Sequence, residues 1–282
     1  MICAWESFIH ILPLWMRDDV DRRGREDMEE IRLRINQPPE LVFRDKCVSF
    51  GKKISADDIS FCINVASRYS PWAAATIESG YITAPGGHRI GICGNAVVTD
   101  KKMTGIRTPT SLNIRIARDF PGLAEKAATY SGSVLLIGPP GCGKTTLLRD
   151  LIRQRSDKLG EFVSVVDEKG ELFPFVNSQP CYAIGGHTDV LTGCSKQEGI
   201  MAMLRNMTPQ TIAVDEITDK TDCDSLLHAG WCGVNLLATA HAGSRYDLEN
   251  RLIYKPLLES RLFETLITIH KDKSWTGERL YL

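Results

Sequence analysis

The residues at 138–146 have the types and the spacing needed to hold a polyphosphate. They read GPPGCGKTT and follow a short apolar run, VLLI, at 134–137. Glycines allow the backbone to curl until its N–H groups point at phosphate oxygens, and the helix expected after them adds partial positive charge. This is the G-x-x-x-x-G-K-T pattern between a strand and a helix, and it predicts a site for a nucleoside triphosphate with Mg²⁺.

Two side chains of this loop have distinct expected roles. Lys144 should reach the β- and γ-phosphates, and the hydroxyl of Thr145 should ligate Mg²⁺. The alternative, a glycine-rich turn with an unrelated lysine, fits the flanking strand and helix patterns less well. The residues expected to bind the nucleotide are Gly138, Pro139, Pro140, Gly141, Cys142, Gly143, Lys144, Thr145 and Thr146.

A second apolar run, further along the chain, ends in two carboxylates. It reads TIAVDE and finishes at Asp215 and Glu216. Asp215 is expected to hold Mg²⁺ through water, and Glu216 is expected to orient the attacking water. Many strands end in acids, so solvated carboxylates are the alternative, but the phosphate-binding loop upstream favours the Walker B interpretation.

Two further strand patterns end in residues that could do chemistry. The first, VSVVDE, ends at Asp167 and Glu168, and the other ends at Ala240 and His241. The carboxyl ends of parallel strands meet at the ligand-binding edge of a sheet, so Glu168 could help to polarise water and His241 could sense the γ-phosphate. Solvated acids, and a histidine that caps the next turn, remain the alternatives.

The base is predicted to be adenine. The Asn-Lys-x-Asp pattern that reads guanine is absent, and the nearest match, DKTD at 219–222, has the wrong first residue and follows the Walker B run directly. ATP with Mg²⁺ is therefore the expected ligand.

The elements that position these residues alternate between short apolar runs and helical stretches. The apolar runs at 134–137, 162–166, 211–214 and 234–239 are typical of buried parallel strands with helices in the crossovers. We therefore predict two domains, an α+β domain at 1–122 and an α/β nucleotide-binding domain at 123–282.

The first domain is predicted from shorter patterns. Strands are expected at 30–35, 41–43, 81–84, 89–98, 103–107 and 112–117. A helix should begin after Ser55, because Asp58 three residues later forms a capping arrangement, and a second short helix is expected at 72–78. The apolar start at 1–16 is expected to form one amphipathic helix on the body of the domain.

The composition rules out few classes of protein. The 282 residues carry a net charge of −1, and no apolar run reaches the length of a membrane-spanning helix. The nine cysteines include no C-x-x-C pair, so we expect reduced thiols in a cytosolic protein and no metal site built from cysteine. Six basic residues against one acid at 80–118 indicate either a solvated face or a surface that meets phosphate.

Together these motifs resemble the secretion ATPases, the class that includes VirB11 and the type II and type IV pilus motors. That class has a Walker A loop, an acidic box, a Walker B strand and a His box in this order, here at 138–145, 167–168, 212–216 and 239–241. The run MLRNMTP at 203–209 is similar to the L-R-Q-D-P run of the class, which draws attention to Arg205. This resemblance implies a RecA-like P-loop core with a smaller N-terminal α+β domain.

A more specific resemblance is to the stage III sporulation protein AA family. It is carried by EEIRLR at 29–34, YITAPGGHRIG at 81–91, SLNIRIAR at 111–118, GPPGCGKTTLLRD at 138–150 and the TDVLxGCxKxEG pattern at 188–199. Membership would imply a cytoplasmic, hexameric ATPase recruited to a membrane complex on the mother-cell side. That complex would be the channel linking mother cell and forespore.

In the related motor class, arginines of the N-terminal domain and the linker reach the nucleotide. The candidates here are Arg107, Arg115 and Arg118, although surface or ion-pairing arginines are the alternative. The residues expected to take part in hydrolysis are Lys144, Glu216, Glu168, His241, Arg115 and Arg118.

Three functions from different classes fit these observations. The first is a ring motor that powers or assembles a membrane channel, with copies of itself and membrane proteins of the sporulation complex as partners. Another is a slow nucleotide-dependent assembly switch or scaffold. The third, an NTPase that binds single-stranded nucleic acid, is disfavoured by the near-neutral charge, and no stable nucleic-acid partner and no membrane span are expected.

Overall fold

The chain is represented by a computed structural model that describes residues 2–67, 80–100, 102–176 and 178–281. It divides into two compact units. One consists of Met1–Asp119 with Pro174–Tyr182, and the other of Phe120–Phe173 with Ala183–Leu282. The short segment Pro174–Tyr182 therefore belongs with the first unit, whereas the sequence patterns assigned it to the second domain.

The first unit is built on a six-stranded antiparallel sheet with the order β3-β2-β1-β6-β5-β4. Its strands are β1 Glu30–Arg34, β2 Glu40–Val42, β3 Cys47–Ser49, β4 Tyr81–Thr83, β5 Arg89–Thr99 and β6 Lys102–Arg115. Alternate residues of β1 are buried, Ile31 and Leu33 among them, so one face of the sheet packs on a core.

Three helices cover that core: α1 Trp5–Ile11, α2 Leu14–Gly24 and α3 Ala56–Ala66. The capping arrangement predicted for α3 is confirmed, since Ser55 accepts from the backbone N–H of Asp58 while Asp58 accepts from that of Ser55. The expected single helix at 1–16 is wrong. Leu12 is extended and Pro13 precedes α2, because proline cannot continue a helix but suits its start.

The hairpin of the first unit also differs from its prediction. Strands were expected separately at 103–107 and 112–117, but β6 is one strand that pairs with β5 along its length. The pairing shifts register on both sides of Gly94, which leaves single residues between the two expected strands unpaired and keeps β6 continuous. The helix predicted at 72–78 lies outside the described residues.

The second unit contains a seven-stranded, mostly parallel sheet with the order β11-β8-β12-β13-β7-β14-β15. The strands are β7 Val134–Ile137, β8 Val163–Asp167, β11 Thr188–Thr192, β12 Thr211–Ile217, β13 Asn235–Ala240, β14 Thr265–Ile269 and β15 Trp275–Arg279. Only β15 runs antiparallel to its neighbour. The two-residue strands β9 Phe175–Val176 and β10 Gln179–Pro180 form a separate small ribbon, which lies in the segment that belongs with the first unit.

Helices connect the parallel strands. They are α4 Lys144–Leu159, α5 Lys196–Asn206, α6 Lys220–Trp231, α7 Arg245–Asn250 and α8 Lys255–Glu259. β7, β8 and β14 are buried along their whole length, which explains their continuous apolar sequences. The predicted fold class, an α/β P-loop core with a smaller α+β part, is confirmed.

Within the described residues, no helix is both long enough and apolar enough to cross a bilayer.

Candidate functional site

The loop after β7 begins at a point of close packing. A Cβ atom on Gly138 would lie 2.6 Å from the carbonyl oxygen of Ile269 in the neighbouring strand β14, so only glycine fits there. Gly141 and Gly143 have φ of +74° and +105°, which lets the chain curl into the start of α4. A Cβ on either of them would meet no atom within 4 Å, so the loop has open space where a phosphate could approach.

Lys144 is the first residue of α4 and is nearly buried. Its Nζ donates to the carbonyl oxygens of Gly138 and Pro139 at 3.0 and 3.1 Å and lies 3.2 Å from His241 Nδ1. The ammonium group is therefore folded back over its own loop.

The carboxylate of Asp215 is held by two hydroxyl groups. Thr145 Oγ1 donates to Asp215 Oδ2 at 2.7 Å, and Thr239 Oγ1 donates to Asp215 Oδ1 at 2.6 Å. These residues come from α4, β12 and β13, so the helix after the loop and two central strands converge at one point. The structure thus brings together Thr145 and Asp215, the two residues predicted to bind a metal ion.

Glu216 has an unusual backbone conformation. Its φ is +52°, in the left-handed region that residues other than glycine rarely occupy, and the pairing of β12 with β13 shifts register between Val214 and Ile217. The backbone N–H of Glu216 donates to Thr239 Oγ1 at 2.8 Å, which secures this bulge. Strained conformations of this kind are found where a site needs a side chain aimed in a particular direction.

The side chain of Glu216 has a basic group at each oxygen. Lys169 Nζ lies 3.3 Å from Oε2, and His241 Nε2 lies 3.4 Å from Oε1. Lysine can only donate, so His241 Nδ1 accepts from Lys144 and Nε2 carries the hydrogen that faces Glu216. Partial burial would raise the pKa of Glu216, but the contacts with Lys169 and His241 outweigh it and lower the pKa.

The two acids of the Asp167–Glu168 pair do different work. Asp167 is buried and accepts from the backbone N–H groups of Glu171 and Phe173 at 2.9 and 2.8 Å, so it shapes the turn after β8. Burial and the nearby charge of Asp215 raise the pKa of Asp167, although the backbone hydrogen bonds oppose the rise.

Glu168 is paired with a lysine. Lys196 Nζ donates to Glu168 Oε2 at 2.9 Å and lies 3.2 Å from Asp222 Oδ2. Burial alone would lower the pKa of Lys196, but the two carboxylates raise it. The predicted role of Glu168 in polarising water stays a prediction. Its carboxylate already accepts a hydrogen bond from Lys196, so this oxygen is not free to bind a water molecule while the ion pair is formed.

The acids and lysines of these strand ends line one cleft. The oxygens of Thr145 and Asp215, which meet beside this cleft, fit Mg²⁺, because this ion prefers oxygen ligands. Within the described residues, no group of three or more His, Cys, Asp or Glu side chains could hold a metal ion. An ion at Thr145 and Asp215 would therefore depend on the oxygens of a bound phosphate as well.

The sequence matches the family described as sporulation stage III, protein AA, over residues 7–279. The chain belongs to this family. Stage III sporulation protein AA of Bacillus subtilis strain 168 is 37% identical over 257 residues, which cover 88% of this chain and 84% of that protein.

Two solved structures share the fold of this family member. The ATPase DotB of Legionella pneumophila matches with a TM-score of 0.63 at 16% identity, over 95% of this chain and 80% of that one. The pilus retraction motor PilT, solved with bound ADP, matches with a TM-score of 0.59 at 14% identity, over 89% and 76%. The resemblance to secretion ATPases read from the motifs is thereby confirmed at the level of fold.

Arg115 and Arg118 lie in the first unit of this family member. Arg115 ends β6 opposite Glu30 and Arg89, and its side chain is exposed. Arg118 donates to the backbone carbonyl of Met28 at 3.0 Å. Their participation in hydrolysis stays a prediction.

Motif reading missed the roles of three residues: Lys169, Lys196 and Thr239. Lys196 lies within the TDVLxGCxKxEG pattern, which carries the family resemblance but no chemistry that a pattern alone could reveal. Thr239 lies within the His box, two residues before His241. It is buried in β13, and a threonine inside an apolar run does not by itself indicate a role in the site. Lys169 follows the acidic pair directly, and a basic residue beside two acids is the signal that could have found it.

Proposed function

We propose that this chain binds ATP with Mg²⁺ at residues 138–146 and hydrolyses it to ADP and phosphate. The observation that carries the proposal is the convergence of Thr145, Asp215 and Thr239 beside the phosphate-binding loop, with Lys144 and Glu216 joined to the same place through His241. These side chains come from the start of α4, the end of β12 and the end of β13 with the residue that follows it, so their meeting is a property of the fold.

Each side chain then has a defined task. The backbone N–H groups of the loop and the ammonium of Lys144 bind the β- and γ-phosphates, for which Lys144 exchanges the carbonyl oxygens of Gly138 and Pro139 for phosphate oxygens. Glu216 orients the attacking water and accepts its proton. His241 contacts both Lys144 and Glu216. When Lys144 binds or releases the γ-phosphate, His241 can therefore change the position of the Glu216 carboxylate.

Thr145 and Asp215 would hold Mg²⁺. When bound there, the ion would supply positive charge that stabilises the negative charge developing on the phosphates during transfer. Thr239 keeps the Asp215 carboxylate oriented for this task through its 2.6 Å hydrogen bond.

The proposed biological role is to power or assemble a membrane channel between mother cell and forespore during endospore formation. It is supported by membership of the sporulation stage III, protein AA family and by the fold shared with DotB and PilT. In the same proposal the working form is a cytoplasmic homo-hexamer that is recruited to membrane proteins of the channel complex. Arg115 or Arg118 of one subunit would then complete the site of its neighbour.

The chemistry is tested by measuring ATP binding and phosphate release side by side. Lys144→Ala should lose both, whereas Glu216→Gln should keep binding and release phosphate at least about 100-fold more slowly, the factor typical of a lost general base. Lys158→Ala and Glu125→Gln are matched controls, because they remove an exposed ion pair at the other end of α4. Equal rates in wild type and Lys144→Ala would refute the proposal.

The role is tested by spore counts after the gene is replaced in its own organism. If hydrolysis powers the channel, Lys144→Ala and Glu216→Gln should each abolish spore formation. A protein that acts as a slow nucleotide-dependent scaffold would instead still form spores with Glu216→Gln but not with Lys144→Ala. That result would contradict the proposal that hydrolysis powers the channel.

A further inference from the structure

Helix α4, which begins at the phosphate-binding loop, has a buried and polar middle. Every residue at 147–156 is buried, and the polar or charged ones are Arg149, Asp150, Arg153, Gln154, Arg155 and Ser156. Buried charges and polar groups lower stability unless they are paired or hydrogen-bonded. The middle of α4 is therefore built for contacts with other polar groups.

The chain passes between its two units three times, after Asp119, after Phe173 and after Tyr182. Next to each passage lies a segment of the second unit, and we call these segments the three connections. They are residues 120–124, 171–173 and 183–187. Side chains of α4 bind each connection, although the connections are far apart in sequence.

The first connection is held by Asp150. Its Oδ2 accepts from the backbone N–H of Ala124 at 2.6 Å, and its Oδ1 accepts from that of Gly122 at 3.2 Å. The carboxylate is buried, and hydrogen bonds to an ionised acceptor are stronger than those between neutral groups. Asp150 therefore fixes the chain close to the first passage.

The second connection is held by Arg149. Its Nε donates to the carbonyl oxygen of Leu172 at 2.6 Å, and its Nη2 donates to that of Glu171 at 2.9 Å. The backbone N–H of Phe173, the last residue before the passage, donates to Asp167 Oδ2 at 2.8 Å. This connection is therefore held by α4 and by the end of β8.

The third connection is held by Arg153 and Ser156. Arg153 Nη1 donates to the carbonyl oxygen of Ala183 at 3.5 Å, and Ser156 Oγ accepts from the backbone N–H of His187 at 2.8 Å. A Cβ atom on Gly185, where φ is +97°, would lie 2.6 Å from Ser156 Oγ. The connection therefore packs closely on the helix.

The side chains that hold the first and third connections also bind each other. Arg153 Nε donates to Asp150 Oδ1 at 3.0 Å, and both side chains are buried. Opening either connection would leave a member of this ion pair with an unsatisfied group inside the protein, which is costly. The order of the connections and the order of the helix therefore depend on each other.

We propose that the middle of α4, residues 149–156, transmits nucleotide binding at residues 138–146 to the three connections, which become more stable together when a nucleotide is bound. The inference rests on the proposed function, because it requires that the loop binds a nucleotide. Lys144 and Thr145 are the first residues of α4, so phosphate contacts at the loop stabilise the start of the same helix. A ligand that binds only the ordered form of a site opposes every opening that disrupts the site.

Hydrogen exchange of single amides tests the proposal, because it measures local opening. The reporters, one in each connection, are the N–H groups of Ala124, Phe173 and His187. The non-hydrolysable analogue AMP-PNP with Mg²⁺, at about 100 times its measured Kd, should slow exchange at all three by about 10- to 100-fold, the upper limit being set by mass action. The N–H of Ile35, which donates to the carbonyl oxygen of Thr110 at 3.0 Å in the first unit, should not respond.

Two variants of the same helix show whether its buried side chains carry the effect. Ser156→Ala removes the hydroxyl that binds His187 and introduces a residue that favours the helix, so the slowing at His187 should be lost or fall several-fold. Lys158→Ala is the matched control, because it removes an exposed ion pair with Glu125, just beyond the first connection. Its three reporters should respond to AMP-PNP as those of wild type do.

Asp150→Asn tests the reciprocal effect. Coupling between two sites acts equally in both directions, so loss of the buried carboxylate should weaken AMP-PNP binding by at least about fivefold. A purely structural role for Asp150 would instead lower the thermal stability and leave the affinity of the folded protein unchanged. If this variant does not fold, Ser156→Ala still decides the question.

Two results would overturn the inference alone. One is bound AMP-PNP that leaves exchange at the three reporters unchanged, and the other is an equal nucleotide effect at His187 in Ser156→Ala and Lys158→Ala. Failure of AMP-PNP to bind wild type, measured by calorimetry, would refute the proposed function and this inference with it.

Discussion

Thr239 holds two parts of the candidate site with one hydroxyl group. It donates to Asp215 Oδ1 and accepts from the backbone N–H of Glu216, at 2.6 and 2.8 Å. The carboxylate of Asp215, which we propose binds Mg²⁺, and the strained residue beside it are therefore fixed relative to each other. A hydroxyl in a buried strand is easily taken for a simple packing residue, yet here both of its hydrogen-bonding capacities are used.

Replacing this hydroxyl should affect stability and Mg²⁺ use together. Thr239→Val keeps the shape of the side chain but leaves a partly buried N–H and a partly buried carboxylate oxygen without their partner, which should cost about 1 kcal/mol of unfolding free energy. Urea unfolding measures this loss, and the Mg²⁺ concentration for half-maximal ATP hydrolysis should rise. Thr239→Ser should remain near wild type, and a valine variant with unchanged Mg²⁺ dependence would contradict this role.

For the Asp167–Glu168 pair, the sequence pattern predicts the position of both acids but not what each carboxylate contacts. The sequence predicts correctly that both lie at the carboxyl end of a strand, but Asp167 is the last residue of β8 and Glu168 is the first residue of the turn after it. Asp167 turns inward to bind backbone N–H groups, whereas Glu168 reaches Lys196. Which acid faces the nucleotide depends on contacts with α5 and with the turn at 167–173, and these partners are distant in sequence.

At the scale of elements, the phosphate-binding loop depends on the strand beside it. The neighbour β14 approaches so closely that a Cβ on Gly138 would lie 2.6 Å from a backbone oxygen and 2.5 Å from Cys142 Sγ. The oxygen belongs to a fully buried strand and cannot move cheaply. The first glycine of the motif is therefore required by packing, whatever the loop binds.

Gly138→Ala should accordingly destabilise the protein in the absence of nucleotide. Overpacking of this kind typically costs about 2 kcal/mol, and the loss should appear as a lower midpoint in thermal or urea unfolding. Gly105→Ala is the matched control, because a Cβ there meets nothing within 4 Å. Equal stability of the two variants would show that β14 does not restrict the loop.

Helix α3 provides a pH-dependent test at the same scale. Burial would raise the pKa of Asp58, but hydrogen bonds from Ser55 and from Trp15 Nε1 outweigh it and lower the pKa. A carboxyl whose pKa is lowered by folding stabilises the protein above its unfolded pKa of about 3.9, and that contribution is lost as the pH falls through the folded value.

Asp58→Ala should therefore cost about 1 kcal/mol at pH 7, the usual effect of a lost helix cap. The difference from wild type should shrink when urea unfolding, followed by tryptophan fluorescence, is repeated near pH 3. A difference that stays constant across this range would mean that the ionised carboxylate is not the source of the stabilisation.

The elements themselves were predictable to different degrees. β7 was predicted at its observed bounds, and β8, β12 and β13 to within a few residues, because buried parallel strands read as short continuous apolar runs. The break between α1 and α2 was missed although Pro13 marks it, because the apolar pattern continues across the proline. β6 was split in two because Thr108, with φ +48°, and Pro109 interrupt its alternation, while long pairing with β5 holds it together.

At the scale of the whole molecule, the most important feature is that the predicted site residues are distributed over both units. The second unit contains every residue predicted to bind the nucleotide or the metal ion, and the first contains Arg115 and Arg118. A site that is completed by arginines of a neighbouring copy would make turnover depend on assembly. The proposed hexamer therefore has a consequence that can be measured in solution with the purified chain.

The most direct measurement is the rate of phosphate release per protomer as a function of protein concentration, for wild type, Lys144→Ala and Arg115→Ala. The account predicts that the wild-type rate rises as subunits assemble and that Lys144→Ala stays at background throughout. Arg115→Ala should stay low even at concentrations where it assembles, provided that this arginine completes the neighbouring site. A wild-type rate no higher than that of Lys144→Ala at any concentration would contradict the claim that this chain is an ATPase.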